Sequence, residues 1–114
     1  MTPTVRLSLN YYSTLAPTFV YGIRRYLRGT TLKMHRDRKG THVYGVSLNV
    51  AQQVEDFWPL VIEDAPGKSR EVLLQPGEMV LYESQRLLHG RPKPLRGDFY
   101  AAVFAHFRPC PAPS

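Results

Sequence analysis

The chain has 114 residues with a 43% apolar fraction, enough for one domain with a real core and too short for two. Its single cysteine, Cys110, excludes a disulfide framework and a cysteine-based zinc site. The formal net charge of +6 favours anionic partners, while no apolar run approaches the length of a membrane-spanning helix.

In chain order, nearly everything reads as strand. The start, Met1-Thr2-Pro3-Thr4-Val5-Arg6, lacks the charged-then-apolar pattern of a signal peptide, which leaves the compartment open and leans toward the cytoplasm. Leu7 to Leu15 fits a short helix or a strand. Thr18 to Leu27 carries Phe19, Val20, Tyr21, Ile23 and Tyr26, all strand formers. Thr31 to Asp37 follows the turn residue Gly29. His42 to Val50 is the next strand, and Val50 to Val54 suggests a single helical turn. Trp58 to Glu63 closes on Asp64-Ala65-Pro66-Gly67-Lys68. Arg70 to Leu74 closes on Gln75-Pro76-Gly77-Glu78, a second Pro-Gly turn. Glu78 to Glu83, Leu87 to Arg91 and Phe99 to Arg108 complete about eight short strands at close spacing, the pattern of a sandwich or barrel. Residues 109–114 are proline-rich and read as a tail.

His35-Arg36-Asp37 is the key local feature. Residues two apart on a strand share a face, so one imidazole and one carboxylate aim at the same point. His89, downstream, supplies a third ligand. Two histidines and one carboxylate form the facial triad of non-haem Fe(II) oxygenases, which leaves positions open for cosubstrate and oxygen. Alone, H-x-D is a weak signal, equally readable as a surface pair beside Arg36, Arg38 and Lys39. On an all-β chain, with a histidine ahead of the last strand, it carries more.

The order of several elements adds a resemblance. Tyr26-Leu27-Arg28-Gly29-Thr30-Thr31-Leu32-Lys33-Met34-His35-Arg36-Asp37 is similar to the run that carries the first two iron ligands of prolyl 4-hydroxylase-like 2-oxoglutarate/Fe(II) dioxygenases. Leu74 to Tyr82 resembles the turn and strand leading to that family's second histidine. His89 to Gly97 resembles the distal histidine segment, and Phe99 to Phe107 the strand bearing the cosubstrate anchor. The resemblance covers about residues 19 to 108. It implies a double-stranded β-helix (jelly roll) with few or no helices over residues 1–108, and His35, Asp37 and His89 as iron ligands. It also implies Fe(II), 2-oxoglutarate and O2 as reaction partners, with ascorbate as a further reductant. The implied reaction is hydroxylation of a peptidyl (prolyl) or small-molecule substrate. Oxygenases of this fold carry bracing helices before the first core strand. Only 17 residues precede Thr18, so an exposed apolar face favouring a homodimer is expected.

The chain departs from the family at the cosubstrate site. The position of the expected lysine is Phe99, and that of a helping tyrosine is Leu32. Arg91, two residues after His89, is the first substitute for the cation, Arg96 the second and Arg24 the third. Tyr26 shares a face with Arg24 and is counted with the cofactor-binding residues. Tyr44 and Ser47 lie on opposite faces, so at most one of them meets the pocket. His106 reads as a satisfied core histidine, and His42 as exposed. The basic residues Arg24, Arg25, Arg28, Lys33, Arg36, Arg38 and Lys39 straddle the metal motif and read as a solvated rim around an anion-binding mouth. Nucleic acid is not the expected partner. Two other readings stay open: a cupin-like metal-binding jelly roll without 2-oxoglutarate turnover, and a non-catalytic basic β-barrel binding module.

Overall fold

Turn chemistry sets where the strands stop. The computed structural model describes residues 4–7, 14–38 and 44–110. Gly29, Gly67 and Gly77 have positive φ, and the last two follow Pro66 and Pro76 in the turns expected from the sequence. The described residues form nine strands: β1 Thr4–Leu7, β2 Thr14–Leu27, β3 Leu32–His35, β4 Tyr44–Val54, β5 Leu60–Ala65, β6 Lys68–Val72, β7 Met79–Tyr82, β8 His89–Arg91 and β9 Gly97–Cys110. Among the described residues there is no helix, and so none long and apolar enough to cross a membrane. The all-β expectation holds.

Two sheets form, one with the order β1-β7-β4-β9-β2 and one with the order β3-β8-β5-β6. Every pairing is antiparallel except β1 beside β7. The core lies between the sheets. One cluster joins Leu60, Ile62 and Val72 of the four-stranded sheet to Val80 and Tyr82 of the other. A second gathers Trp58, Leu95, Tyr100 and Ala102. Burying each large apolar side chain contributes on the order of 1.5–3 kcal/mol.

Several sequence expectations shift. The helical turn at Val50 to Val54 is strand, because Ala51, Gln52 and Gln53 pair with Ala101, Tyr100 and Phe99 of β9. A register shift between Asn49 and Ala51 carries the strand through. Asn49 Nδ2 donates to the carbonyls of Ala51 and Ala101, and Gln52 Nε2 donates to Asn49 Oδ1 and the Leu74 carbonyl. Sheet pairing thus overrides a helical preference that is only local. Strand Thr4–Leu7 stands ahead of the region read as helix or strand, and β2 begins at Thr14, four residues before the expected start. At the other end β9 runs through Pro109 and Cys110, two residues into the expected tail, where they pair with Leu15 and Thr14. His42 lies outside the described residues.

Candidate metal centre

β3 and β8 are neighbours in the four-stranded sheet, and their register sets His35 directly opposite His89. The ring centroids are 4.5 Å apart. Asp37 lies beyond the end of β3 rather than on it, so strand alternation does not place it. Its N–H donates instead to the Ser84 carbonyl at 3.0 Å, and its carboxylate swings back to the rings. His35 Nε2 is 3.3 Å from Asp37 Oδ1, and His89 Nε2 is 3.2 Å from the same oxygen. One donor atom from each of the three residues lies within 4.8 Å of the others. Two ligands at right angles on a metal with bonds of about 2.1 Å stand about 3 Å apart, close to the two shorter separations.

The tautomers fit a metal as well. His35 Nδ1 is 2.8 Å from the Lys33 carbonyl, and His89 Nδ1 is 2.9 Å from the Leu87 carbonyl. A carbonyl only accepts, so each Nδ1 carries the proton and each Nε2 keeps its lone pair for the ion. The turn at residues 83–87 thereby orients two ligands at once, Asp37 through Ser84 and His89 through Leu87. The same turn is fastened by the Arg86 and Leu87 N–H groups, which donate to the Glu83 carbonyl, and by Arg86 Nη2, which donates to the buried Glu83 carboxylate at 2.9 Å. His89 is buried, whereas the His35 side chain is 53% exposed. One side of the centre is therefore open.

The triad lines a pocket of about 430 Å³ between the sheets, a volume suited to a small ligand. Tyr82 packs edge-on to His89 with centroids 5.0 Å apart. Burial, and next the Asp37 carboxylate, push its phenol far above the ordinary value, so it stays protonated. His106, read from the sequence as a core histidine, also lines the pocket. Its Nε2 is 3.8 Å from Asp37 Oδ2, and its ring meets Tyr21 edge-on.

Compared with known proteins, the chain matches no protein-family model and has no significant match among curated sequences.

The cosubstrate candidates separate by position. Arg91 is 2% exposed and lines the pocket on the same strand as His89, two residues on. Its Nη1 donates to the Trp58 carbonyl at 2.6 Å, and Nη2 is 3.4 Å from the Tyr100 hydroxyl. The Trp58 and Tyr100 rings flank it, with centroids 4.7 and 4.6 Å from the guanidinium carbon. No carboxylate among the described residues forms an ion pair with it. Burial raises the Tyr100 phenol above its usual value, with Arg91 opposing that rise. Tyr26 reaches the same corner, edge-on to Trp58. Arg96 is exposed and is not part of the pocket lining; its backbone carbonyl accepts from Glu55. Phe99 pairs with Leu27 and lies under the Arg25 guanidinium, while its neighbour Tyr100 turns inward. A lysine at position 99 would share that outward course, and Arg91, on the opposite sheet, is the buried cation of the pocket lining. Leu32, opposite Arg91, packs with Tyr26 against the Trp58 cluster. Of the Tyr44 and Ser47 pair, Ser47 is the one lining the pocket.

Proposed function

We propose that the chain is an Fe(II)- and 2-oxoglutarate-dependent oxygenase on a double-stranded β-helix, hydroxylating a peptidyl or small-molecule substrate. The observation that carries this reading is one pocket holding both a two-histidine, one-carboxylate donor set and a buried arginine without a carboxylate partner among the described residues. In support of the jelly roll, the chain crosses between the sheets at every step from β2 to β9 except the β5–β6 hairpin, leaving the interleaved orders β7-β4-β9-β2 and β3-β8-β5-β6.

His35, Asp37 and His89 hold the metal through two nitrogens and one oxygen and leave further positions free. Fe(II) with 2-oxoglutarate and O2 supplies oxidative decarboxylation to succinate and CO2, coupled to hydroxylation of a C–H bond. Arg91 binds the distal carboxylate of the 2-oxo acid with N–H donors left over from its bonds to Trp58 and Tyr100. His89 and Arg91 are two residues apart on one strand, roughly 6.6 Å, a span suited to a five-carbon diacid. Trp58 and Tyr100 fix the guanidinium plane and keep water from it. The Lys33 and Leu87 carbonyls keep both imidazoles in the ligating tautomer throughout.

The test is anaerobic addition of Fe(II) and 2-oxoglutarate, read as the weak visible charge-transfer band of the chelate. The band is expected in the wild type and absent in His35→Ala and His89→Ala. Failure to bind iron at all would refute the metal centre. Iron binding without the band would favour the cupin-like reading, which the family departures at Phe99 and Leu32 keep in play.

A further inference from the structure

The pocket holds a second cation that the metal and Arg91 leave unused. Along β2 the register against β9 runs Tyr21↔Phe104 and then Arg24↔Ala102, so three steps on β2 match two on β9. Regular alternation from Tyr21 would turn Ile23 inward and Arg24 outward. The extra residue reverses this: Ile23 is 63% exposed, while Tyr21, Arg24 and Tyr26 all line the pocket. A bulge that interrupts the ladder beside a site re-aims a side chain into it. The Arg24 guanidinium carbon lies 5.9 Å from both the Tyr21 and the Phe104 ring centroids. No carboxylate among the described residues forms an ion pair with it. Ser47, the β4 partner of Phe104, supplies an independent sign. Ser47 lines the same pocket, the residue is 1% exposed, and its buried Oγ has no hydrogen-bond partner among the described residues. A buried hydroxyl without a partner costs free energy that a bound polar ligand would recover.

We propose that Arg24 and Ser47 form an oxyanion subsite for the molecule being hydroxylated, so that the substrate carries a carboxylate or a phosphate group. This rests on the oxygenase reading, in which Arg91 is taken by the cosubstrate. Arg24 stands at the exposed side of the pocket and Arg91 at its buried end. Arg24 and Arg91 would thus each take one anion, with Lys33 of β3 also in the lining.

The test is ligand-observed NMR titration of metal-loaded protein saturated with 2-oxoglutarate, using benzoate, phenyl phosphate and neutral benzamide as probes. One of the two anions is expected to bind roughly tenfold or more tighter than benzamide, as one charge-assisted contact would give. Whichever anion leads identifies the source of the oxyanion. In Arg24→Gln the preference should fall to within about twofold, and Arg24→Lys should keep part of it. Ser47→Ala should weaken the preferred anion by roughly threefold or more, the share of a single neutral hydrogen bond. Equal binding of all three probes by the wild type overturns the proposal, as does a preference that survives Arg24→Gln. A preference lost only in Arg91→Gln would move the subsite to Arg91 and overturn it too. Should the wild type bind no 2-oxoglutarate, the oxygenase reading fails, while the probe comparison still decides the Arg24 subsite.

Discussion

Arg91→Met separates a cation kept for ligand binding from one kept for the fold. Methionine replaces the stem with an apolar chain of similar length and removes the charge. The variant loses the charge-assisted bond to the Trp58 carbonyl, worth about 1.5–3 kcal/mol. It also loses two aromatic contacts, about 2 kcal/mol each when desolvated. Against this stands relief of the several kcal/mol needed to keep a guanidinium out of water. No carboxylate is left stranded, unlike the usual buried ion pair, where removing one partner costs about 3–5 kcal/mol. The terms nearly cancel, so urea unfolding should show stability within about 2 kcal/mol of the wild type. Binding of 2-oxoglutarate to the metal-loaded protein should fall about 100-fold, the loss of two charge-assisted hydrogen bonds. A variant destabilised by about 4 kcal/mol that binds 2-oxoglutarate normally would make Arg91 a structural cation and refute the reasoning.

Other predictions follow from close approach, unmet polarity and titration. A Cβ on Gly90 would stand 2.8 Å from the Leu32 and Lys33 carbonyl oxygens. Gly90→Ala should therefore part β3 from β8, cost about 1–3 kcal/mol in thermal unfolding and weaken metal binding roughly tenfold, since His35 and the Lys33 carbonyl ride on β3. Ser47→Ala removes a buried hydroxyl without a partner among the described residues, and should leave the ligand-free protein equally stable or up to about 1–2 kcal/mol more stable by urea unfolding. Burial holds the folded Tyr82 and Tyr100 phenols above the unfolded value near 10. The unfolded chain then releases those protons first, so the stability they contribute is complete below about pH 10 and declines as pH rises further. Phenolate absorbance should accordingly show Tyr82 and Tyr100 ionising at higher pH in the folded protein than in the unfolded chain. Chelation of metal from loaded protein should lower the unfolding midpoint, because the ion binds only the folded arrangement.

Much of the architecture was legible in local chemistry. Pro66-Gly67 and Pro76-Gly77 mark two turns because proline presets one backbone angle and glycine accepts positive φ. The strands between them read from β-branched and aromatic residues, and the spacing of His35 and Asp37 with a later histidine pointed to the three residues that the fold brings within 4.8 Å. Arg91 was legible as well, since it follows His89 by one strand period. What the sequence alone could not decide depends on pairing between distant segments. Bulges on β2, β3 and β4 break the two-residue period, and these appear only when one strand is laid against another. That is why Arg24 turns inward while Ile23 turns out, and why Val50 to Val54 is strand. Asp37 is placed by the Ser84 carbonyl, 47 residues away in the chain, not by alternation. The approach of His106 on β9 to Asp37, and of Tyr100 on β9 and Trp58 ahead of β5 to Arg91 on β8, likewise depends on how separate strands pack. Residue types and local periods therefore determined which groups could do chemistry, and long-range strand register decided which of them meet.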